Sequence, residues 1–388
     1  MNNLKYITYQ SFPAETANSL QTITTLKYFK KNGFDVTLIF PLREKQSNAD
    51  LAALHNYYNF SENIDVCGVS HNYPFGKFKI FESISFHISH YLWSKKTVNK
   101  LVINDKEKTI WFTRSDWILY FLAKKNIKVI FECHKSSKLR KFIIKKTSNN
   151  RNVKFIFLNK ILYEHFDSPN NSIVLHNGVD EELFINEEKL PIQKNTKIKL
   201  KKIVFVGSLS RYGKKRNLNY FIDSFKDDYV SSNFKFIIVG GPESEANNLR
   251  EYVYKNNLSD NIQIAGRQSR EQIVATLKDA DIGLLTNNRD DQHSIEFTSP
   301  LKYFEYLYSD LIVLASDFPS HRNLPYSEKI EFFNDHDSDS FVNILKNIDQ
   351  KKGYKVIEKD FITVDKRVKR IIEFYFDVHP EGLEPSTS

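Results

Sequence analysis

The chain has 388 residues, enough for two or three domains with sizeable hydrophobic cores. Hydrophobic residues make up 41% and charged residues 27% of the chain, which excludes a disordered polymer, a collagen and a small disulfide-bonded scaffold. The net charge of +9 is compatible with three kinds of partner, namely nucleic acid, an anionic membrane or a phosphorylated substrate.

The first half of the chain alternates short apolar runs, typical of buried parallel strands, with longer helical stretches. Such repetition predicts right-handed crossovers and an open α/β sheet. Pro41 is expected to stop the second strand, and only one helix, Ile80–Lys100, is predicted within residues 43–105. The predicted strands are Leu4–Tyr9, Asp35–Phe40, Thr109–Thr113, Lys128–Phe131, Val153–Leu158 and Ile173–His176, and the other helices are Ala14–Asn32, Asp116–Lys125, Lys138–Thr147 and Lys160–Phe166.

A polar, lysine-rich stretch at 185–200 is predicted to be a linker between two domains, at 1–184 and 201–362. An amphipathic helix within 363–378 is expected to pack back towards the first domain, and the tail at 379–388 is expected to be disordered. The predicted strands after the linker are Lys202–Val206, Phe234–Val239, Asn261–Ala265, Ile282–Thr286 and Leu311–Ala315, and the helices are Leu218–Phe225, Ser244–Lys255, Arg270–Asp279 and Pro300–Tyr308.

The excess of positive charge lies in the first half of the chain. Residues 1–184 contain 26 lysines and arginines against 16 acidic residues, whereas residues 185–388 contain 30 against 31. Either an anionic partner of the first domain or the compositional bias of an A/T-rich genome explains this asymmetry. Because the chain has only two cysteines and neither a signal-peptide pattern nor a membrane-spanning apolar run, we expect a cytoplasmic protein with reduced thiols.

Three stretches of the second domain carry glycine where a predicted strand ends, which is where open α/β sheets bind ligands. They contain Gly207, Gly240-Gly241 and Gly266-Arg267-Gln268. Glycine lets a ligand approach the backbone, and the cations that follow Gly207 suit a phosphate. Each stretch alone is also compatible with a solvated loop or an ordinary turn. The cations after Gly207 are Arg211, Lys214, Lys215 and Arg216.

A fourth stretch, residues 298–307, predicts an anion site at a helix start. Ser299 is expected to N-cap a helix whose first residue is Pro300. The free N–H groups and positive end of such a helix suit a diphosphate, and Lys302 adds charge in the first turn. Glu305, one turn further, can accept two hydroxyl hydrogen bonds of the kind a ribose offers. The alternative is a capped structural helix with a surface lysine and glutamate.

Together the four stretches resemble the nucleotide-sugar-binding domain of a GT-B-fold retaining glycosyltransferase of family four, also called group 1, over residues 200–322. Residues 174–184 and 131–134 resemble segments of that family's first domain. The resemblance implies an α/β fold of two Rossmann-like domains with parallel sheets facing across a cleft. It further implies transfer of a sugar from a nucleoside-diphosphate sugar to a hydroxyl acceptor with retention, in bacterial surface polysaccharide or lipopolysaccharide assembly.

The resemblance also implies roles for residues. His134 would lie near the donor sugar, and Glu305 would bind the ribose hydroxyls. Lys302 would contact the diphosphate together with either Arg216 or Lys215, so the catalytic candidates are His134, Lys302 and Arg216. The candidates for donor binding are Gly207, Arg211, Lys214, Lys215, Gly240, Gly241, Gly266, Arg267, Gln268, Ser299, Pro300, Leu301 and Glu305. The candidates in an acceptor-side loop are Glu15, Thr16 and Asn18.

Two positions depart from the family pattern. Ser208 stands where the family has a diphosphate-binding arginine, and Phe297 stands where it has the first of two paired glutamates. The second departure puts the contacts to the donor sugar in doubt. A non-catalytic member of the fold therefore stays open as an alternative.

The expected partners are a nucleoside-diphosphate sugar, a glycan or lipid-linked acceptor and an anionic membrane surface reached through the basic first domain. No metal or other cofactor is expected, since Asp290-Asp291 lacks a third ligand at suitable spacing. A nucleotide-sugar epimerase of the same shape remains a rival, and so does a basic nucleic-acid-binding protein. The latter is disfavoured because no helix-turn-helix, zinc-finger or aromatic RNA-binding motif is present.

Overall fold

The chain folds into two compact units, each built on one parallel sheet. The structure, a computed structural model, describes residues 2–73, 82–103, 109–185, 200–211, 214–348 and 358–376. The first unit contains the described residues up to Leu175 and those from Val364 onward, and the second contains His176–Thr363. Residues 186–199 of the predicted linker and the predicted tail at 379–388 lie outside the described residues.

The first unit has seven parallel strands in the order β3-β2-β1-β4-β5-β6-β7. Every residue of β4 and β5 is buried, as expected for central strands covered by helices on both faces. The strands are β1 (Asn2–Ile7), β2 (Phe34–Leu42), β3 (Asp65–Ser70), β4 (Thr109–Thr113), β5 (Val129–Cys133), β6 (Val153–Phe157) and β7 (Ser172–Val174).

Seven helices cover this sheet within the described residues. The last of them comes from the end of the chain and packs against the first, where Val364, Val368 and Ile371 join the core of the unit. The helices are α1 (Ala17–Lys31), α2 (Leu51–Tyr58), α3 (Glu82–Val102), α4 (Asp116–Lys124), α5 (Lys138–Thr147), α6 (Lys160–His165) and α16 (Val364–Tyr375).

The second unit has a sheet of six parallel strands in the order β12-β11-β8-β13-β14-β15, and a short antiparallel hairpin, β9-β10. Its strands are β8 (Lys201–Val206), β9 (Ser210–Arg211), β10 (Lys214–Lys215), β11 (Phe234–Val239), β12 (Ile262–Gly266), β13 (Ile282–Leu285), β14 (Ile312–Ser316) and β15 (Ile330–Phe333). Its helices are α7 (Glu182–Ile185), α8 (Leu218–Asp223), α9 (Asp228–Asn233), α10 (Glu243–Lys255), α11 (Arg270–Lys278), α12 (Gln292–Glu296), α13 (Leu301–Tyr308), α14 (Pro319–Arg322) and α15 (Ser338–Asn347).

The strand order reverses once in each sheet. Consecutive strands run outward from β1 to one edge and resume at β4, and in the same way they run outward from β8 and resume at β13. Loops at such a reversal diverge to opposite faces and leave a crevice at the carboxyl ends of the strands, where doubly wound sheets bind ligands. In this protein such ligand crevices are expected between β1 and β4 and between β8 and β13.

Pro41 does not stop β2, which continues to Leu42, so the prediction of a strand ending before it was wrong. Pro41 lies in register with Val69 of β3, beyond the last β2 residue that pairs with β1. The N–H group that proline lacks is therefore not needed for pairing with β1 at this position.

Candidate active site

Three glycine turns lie side by side at the carboxyl edge of the second sheet. Gly207, after β8, donates its N–H to Val239 O at 2.9 Å, and Gly240, after β11, donates to Gly266 O at 2.8 Å. The backbones approach so closely that a Cβ atom on Gly240 would overlap the carbonyl oxygen of Gly207. The structure thus brings together the glycines that the sequence predicted, although they are far apart along the chain.

Two cations converge on the crevice between β8 and β13. Arg216 donates through Nη1 to Thr286 O at 2.7 Å and to Asn287 Oδ1 at 2.6 Å. Lys302 Nζ lies 3.4 Å from the same Thr286 carbonyl. Both cations also stand over the ring of Phe205, with Lys302 Nζ at 4.1 Å and Arg216 Cζ at 5.8 Å from its centroid. Two positive charges are thus held together where a ligand of this fold would lie.

The charge of Lys302 is destabilised by its surroundings. Burial of the ammonium lowers the pKa of Lys302 well below its ordinary value, and the neighbouring Arg216 lowers this pKa further, while Glu305 acts in the opposite direction. The residue as a whole is partly exposed. An anion bound beside Lys302 and Arg216 would relieve their mutual repulsion.

The start of helix α13 differs from the prediction. Helix α13 begins at Leu301 with Pro300 as its N-cap, and no side chain caps it. Ser299 is buried, and its hydroxyl accepts a hydrogen bond from Asn177 N at 3.0 Å, while its carbonyl accepts from the Asn177 amide. The prediction that Ser299 caps the helix was therefore wrong, because its hydroxyl holds the 174–184 segment instead. The first N–H groups of α13 therefore have no side-chain cap, and they form the positive end of the helix.

Glu305 carries an ion pair that the sequence did not indicate. It is 5% exposed, and its Oε1 accepts from Arg270 Nη2 at 2.6 Å. Glu305 is the main cause that raises the pKa of Arg270. Thirty-five residues separate the two, and no spacing rule links a residue at the start of one helix to the middle of another. The carboxylate is anchored at one oxygen, which orients the group.

The remaining candidates for donor binding have different contacts in the structure. Lys215 lies in an ion pair with Glu245 at 3.0 Å, so Arg216 is the loop cation beside Lys302. The Arg267 side chain packs over Gly241, and Gln268 accepts a hydrogen bond from Thr276. The side chains of Arg211 and Lys214 lie outside the described part of the structure, although their backbones form the β9-β10 hairpin.

A buried histidine that the sequence analysis did not single out lies in this region. His321 is fully buried and its Nδ1 donates to Ser316 O at 2.8 Å, while its Nε2 has no partner in the described residues. Burial lowers its pKa to about 4, and the positive charges of Lys302 and Arg216 act in the same direction. The residue therefore stays neutral at pH 7 beside the two cations.

The first-unit candidates meet at the carboxyl ends of β4 and β5. His134 follows β5, and its Nε2 lies 2.5 Å from Glu132 Oε1. Arg114, which follows β4, donates to Glu132 and also to Asn18 Oδ1 at 2.8 Å. Asn18 and His134 thus belong to one hydrogen-bond network.

Thr16 of the acceptor-side loop joins this network through Gln10, whose Nε2 donates to Thr16 Oγ1 at 2.9 Å and whose Oε1 accepts from Asn18 Nδ2 at 2.6 Å. Thr16 caps helix α1 by accepting from Ser19 N, which is a structural role. Glu15 is exposed at the surface of the loop.

No group of three or more metal-ligating side chains occurs among the described residues. A groove of about 280 Å³ borders Arg216 on the side of helix α10 and is lined by Lys215, Asn217 and Asn248. Neither Lys302 nor Glu305 lines this groove, so it is separate from the crevice between β8 and β13. Within the described ranges, none of the helices has the length and apolarity needed to cross a bilayer.

Comparison with known proteins agrees with this geometry. Residues 186–359 match the family model described as glycosyl transferases group 1. No curated protein sequence matches the chain. A glycosyltransferase from Rickettsia africae ESF-5 has a similar structure, at 15% identity, over 98% of this chain and 100% of that chain, with a TM-score of 0.67.

Two further solved structures are similar over nearly the whole chain. The sucrose-phosphate synthase from Thermosynechococcus elongatus has 12% identity over 98% of this chain and 100% of that chain, with a TM-score of 0.68. The Anabaena protein HepE, solved in complex with UDP, has 12% identity over 97% of this chain and 100% of that chain, with a TM-score of 0.66. At such identities the likeness is one of fold, and the fold is GT-B.

Proposed function

We propose that this chain is a glycosyltransferase whose donor is a nucleoside-diphosphate sugar, because residues 186–359 match the family model of glycosyl transferases group 1. The observation that carries the proposal is the convergence of Arg216 and Lys302 on the Thr286 carbonyl beside Gly207. A crevice with two cations beside a glycine turn suits a diphosphate. HepE, solved with UDP, makes UDP the first nucleotide to test.

Sugar transfer breaks the bond between the anomeric carbon and the diphosphate oxygen, and the diphosphate leaves with an added negative charge. Lys302, Arg216 and the N–H groups at the start of α13 would stabilise that charge. Because the fold already holds these groups in place, no solvent has to reorient as the charge develops. The acceptor oxygen forms the new bond to the anomeric carbon, and the hydroxyl proton passes to the departing diphosphate oxygen. We propose retention of anomeric configuration on the basis of the family resemblance alone.

We also propose that these protein cations, without a bound metal, balance the charge of the leaving diphosphate. The support is the pair formed by Arg216 and Lys302, which already places two positive charges in the crevice. Transfer activity is therefore expected to survive dialysis against EDTA. Recovery of a lost activity by Mg²⁺ or Mn²⁺ would contradict this part of the proposal.

Substitution of one of the two cationic side chains tests the proposed donor site. Lys302→Met keeps the length of the stem and removes the charge, so the Kd for UDP should rise about tenfold or more by calorimetry. Lys215→Met is the matched control, because Lys215 is paired with Glu245 outside the crevice. Equal affinities of the wild type and Lys302→Met for UDP, GDP and dTDP would contradict the assignment.

We propose that the acceptor is a lipid-linked glycan in the assembly of a surface polysaccharide, and that the protein works at the cytoplasmic face of an anionic membrane. Helix α5 of the first unit supports this. Phe142 is 52% exposed, and its helix also carries four exposed lysines and no acidic residue. An exposed aromatic ring among lysines fits an anionic lipid surface. The exposed lysines of α5 are Lys138, Lys141, Lys145 and Lys146.

Helix α3 of the same unit carries an exposed apolar stripe. Ile84, Ile88 and Leu92 recur every four residues and are 58%, 51% and 37% exposed. Helix α4 lies between α3 and α5 and contacts both of them. Apolar side chains at this spacing share one face of a helix, so they could enter the headgroup region together.

Vesicle binding tests the membrane proposal. Phe142→Ser should weaken co-sedimentation with phosphatidylglycerol vesicles severalfold, and 0.5 M salt should weaken it further because the attraction is partly electrostatic. Tyr254→Ser on helix α10 of the second unit, where the ring is 76% exposed, is the control and should change nothing. Equal, negligible binding of the wild type to anionic and neutral vesicles would remove the idea.

A further inference from the structure

Glu132 is a buried carboxylate held by side chains from three separate parts of the first unit. It follows three apolar or aromatic residues in β5 and is fully buried. Arg114 Nη2 lies 3.2 Å from Glu132 Oε1 and 3.3 Å from Oε2, and Arg367 Nη2, from helix α16, lies 2.9 Å from Oε1. The third partner is His134, whose Nε2 is 2.5 Å from Oε1. Nothing in the donor chemistry described above uses this group.

The two arginines keep Glu132 ionised. Burial alone would raise its pKa, but Arg114, Arg367 and His134 outweigh burial and hold the pKa of Glu132 well below its ordinary value. An ionised carboxylate can only accept hydrogen bonds. His134 must therefore donate to it through Nε2.

The same surroundings keep His134 neutral. Burial and the positive charge of Arg114 together lower its pKa to about 4, although Glu132 acts in the opposite direction, so at pH 7 the ring carries one proton. Because that proton is on Nε2, the other ring nitrogen, Nδ1, carries a lone pair. Nδ1 has no hydrogen-bond partner in the described part of the chain, and 22% of the His134 side chain is exposed. A hydrogen-bond acceptor is thus presented at the carboxyl edge of the first sheet.

We propose that Glu132, clamped by Arg114 and Arg367, is a positioning residue that fixes His134 with its proton on Nε2 and presents Nδ1 to a hydroxyl group of a sugar. The identity of the ligand rests on the proposed function, whereas the state of the ring does not. The hydroxyl belongs either to the donor sugar or to the acceptor, and Nδ1 recognises both by the same chemistry. Helix α16 enters the site through Arg367, so the end of the chain contributes to the same network as the end of β5.

The state of the ring is tested by NMR of protein labelled with ¹⁵N-histidine. The signals of His134 are those that disappear in His134→Gln. In the wild type they should report a neutral ring with its proton on Nε2 from pH 8 to pH 5. A proton on Nδ1, or a doubly protonated ring at pH 7, would overturn the proposal without reference to any substrate.

Two substitutions of Glu132 separate positioning from structural support. Glu132→Gln keeps an oxygen that Nε2–H can reach, so the proton should stay on Nε2, whereas Glu132→Ala should give a mixture of both tautomers. Glu132→Ala leaves two buried arginines without their anion and is expected to be the less stable variant. If it fails to fold, the spectra of the wild type and of Glu132→Gln still show whether the proton of His134 is on Nε2. An unchanged tautomer in folded Glu132→Ala would contradict the positioning role.

Ligand titration identifies the source of the hydroxyl. UDP-glucose, GDP-mannose and dTDP-glucose are titrated against the wild type and His134→Ala, each beside its free nucleoside diphosphate. A loss of about tenfold for the sugar-bearing forms alone assigns the hydroxyl to the donor. Unchanged affinities for both forms, together with a raised KM for the acceptor, assign it to the acceptor. Equal losses for sugar-bearing and free nucleotides would overturn the proposal, and failure of every nucleotide to bind the wild type would instead contradict the proposed function.

Discussion

Phe205 has an unusual position for a buried residue of a central strand. It is fully buried at the penultimate position of β8, yet its ring faces both cations of the crevice. The electron-rich face of an aromatic ring stabilises a cation without neutralising it. A carboxylate in this place would pair with Lys302 and Arg216 and compete with a phosphate. The ring therefore allows two like charges to stay close and remain available to an anionic ligand.

Glu305→Gln separates recognition of the ribose from recognition of the diphosphate. The amide keeps the size of the side chain but loses the charge that hydroxyl donors favour, so the Kd for UDP should rise about tenfold. Inhibition of UDP binding by pyrophosphate should give the same pyrophosphate affinity as in the wild type, because pyrophosphate has no ribose. Glu245→Gln, which removes the negative charge paired with Lys215, serves as the control. An equal loss for UDP and pyrophosphate would mean that Glu305 acts through the cations.

At the scale of elements, the glycine turns are what allow β8 and β11 to end side by side. In Gly240→Ala the new methyl group would overlap the Gly207 carbonyl, and this carbonyl belongs to rigid backbone. We expect a loss of several kcal/mol in the free energy of unfolding, well above the roughly 1 kcal/mol typical of a strained turn residue.

Gly33→Ala is the comparison for Gly240→Ala. Gly33 also has a positive φ, of 83°, but a Cβ atom there would meet nothing within 4 Å. Its substitution should therefore lower the free energy of unfolding only by the backbone strain, about 1 kcal/mol. Urea unfolding of both variants measures the difference, and similar losses would show that the contact between the two turns does not matter.

The sequence allowed most strands and the ends of strands to be predicted, since buried parallel strands read as continuous apolar runs. It did not predict β3, which lies at the edge of the sheet with no buried residue and therefore has no apolar pattern. The glycines of the second unit were predicted because each follows a strand, Arg216 because it lies in the loop after Gly207, and Lys302 because it lies in the first turn of a predicted helix. The ion pairs of Arg270 with Glu305 and of Arg367 with Glu132 were not predicted. The partners lie far apart along the chain, and no local pattern connects them.

At the scale of the whole molecule, the positive charge and the ligand crevice belong to different units. The first unit carries the exposed lysines of α5, whereas the second carries the glycine turns and the cations beside Thr286. The predicted membrane surface and the predicted donor site can therefore be altered independently. Substitutions such as Phe142→Ser should leave the affinity for UDP unchanged.

Three histidines should make the folded protein sensitive to acid. Burial is the main cause that lowers the pKa of His90 to about 3 and of His134 and His321 to about 4, whereas an unfolded histidine has a pKa of about 6.5. Between pH 6.5 and pH 4 the unfolded chain therefore binds protons that the folded chain does not. The stability that these neutral histidines contribute is therefore fully present above pH 6.5 and is lost as the pH falls towards their folded pKa values. From pH 7 to pH 5 each of these histidines should lower the free energy of unfolding of its unit by about 2 kcal/mol.

His321→Gln tests this in the second unit, because glutamine cannot take up the proton. Urea unfolding at pH 7 and at pH 5 should show that the variant loses about 2 kcal/mol less than the wild type on acidification. His336→Gln, at an exposed position of the same unit, is the control and should behave like the wild type. If His321→Gln loses as much stability as the wild type, the buried imidazole takes up a proton in the folded state. Lys302 and Arg216 would then not repel a charge at that position.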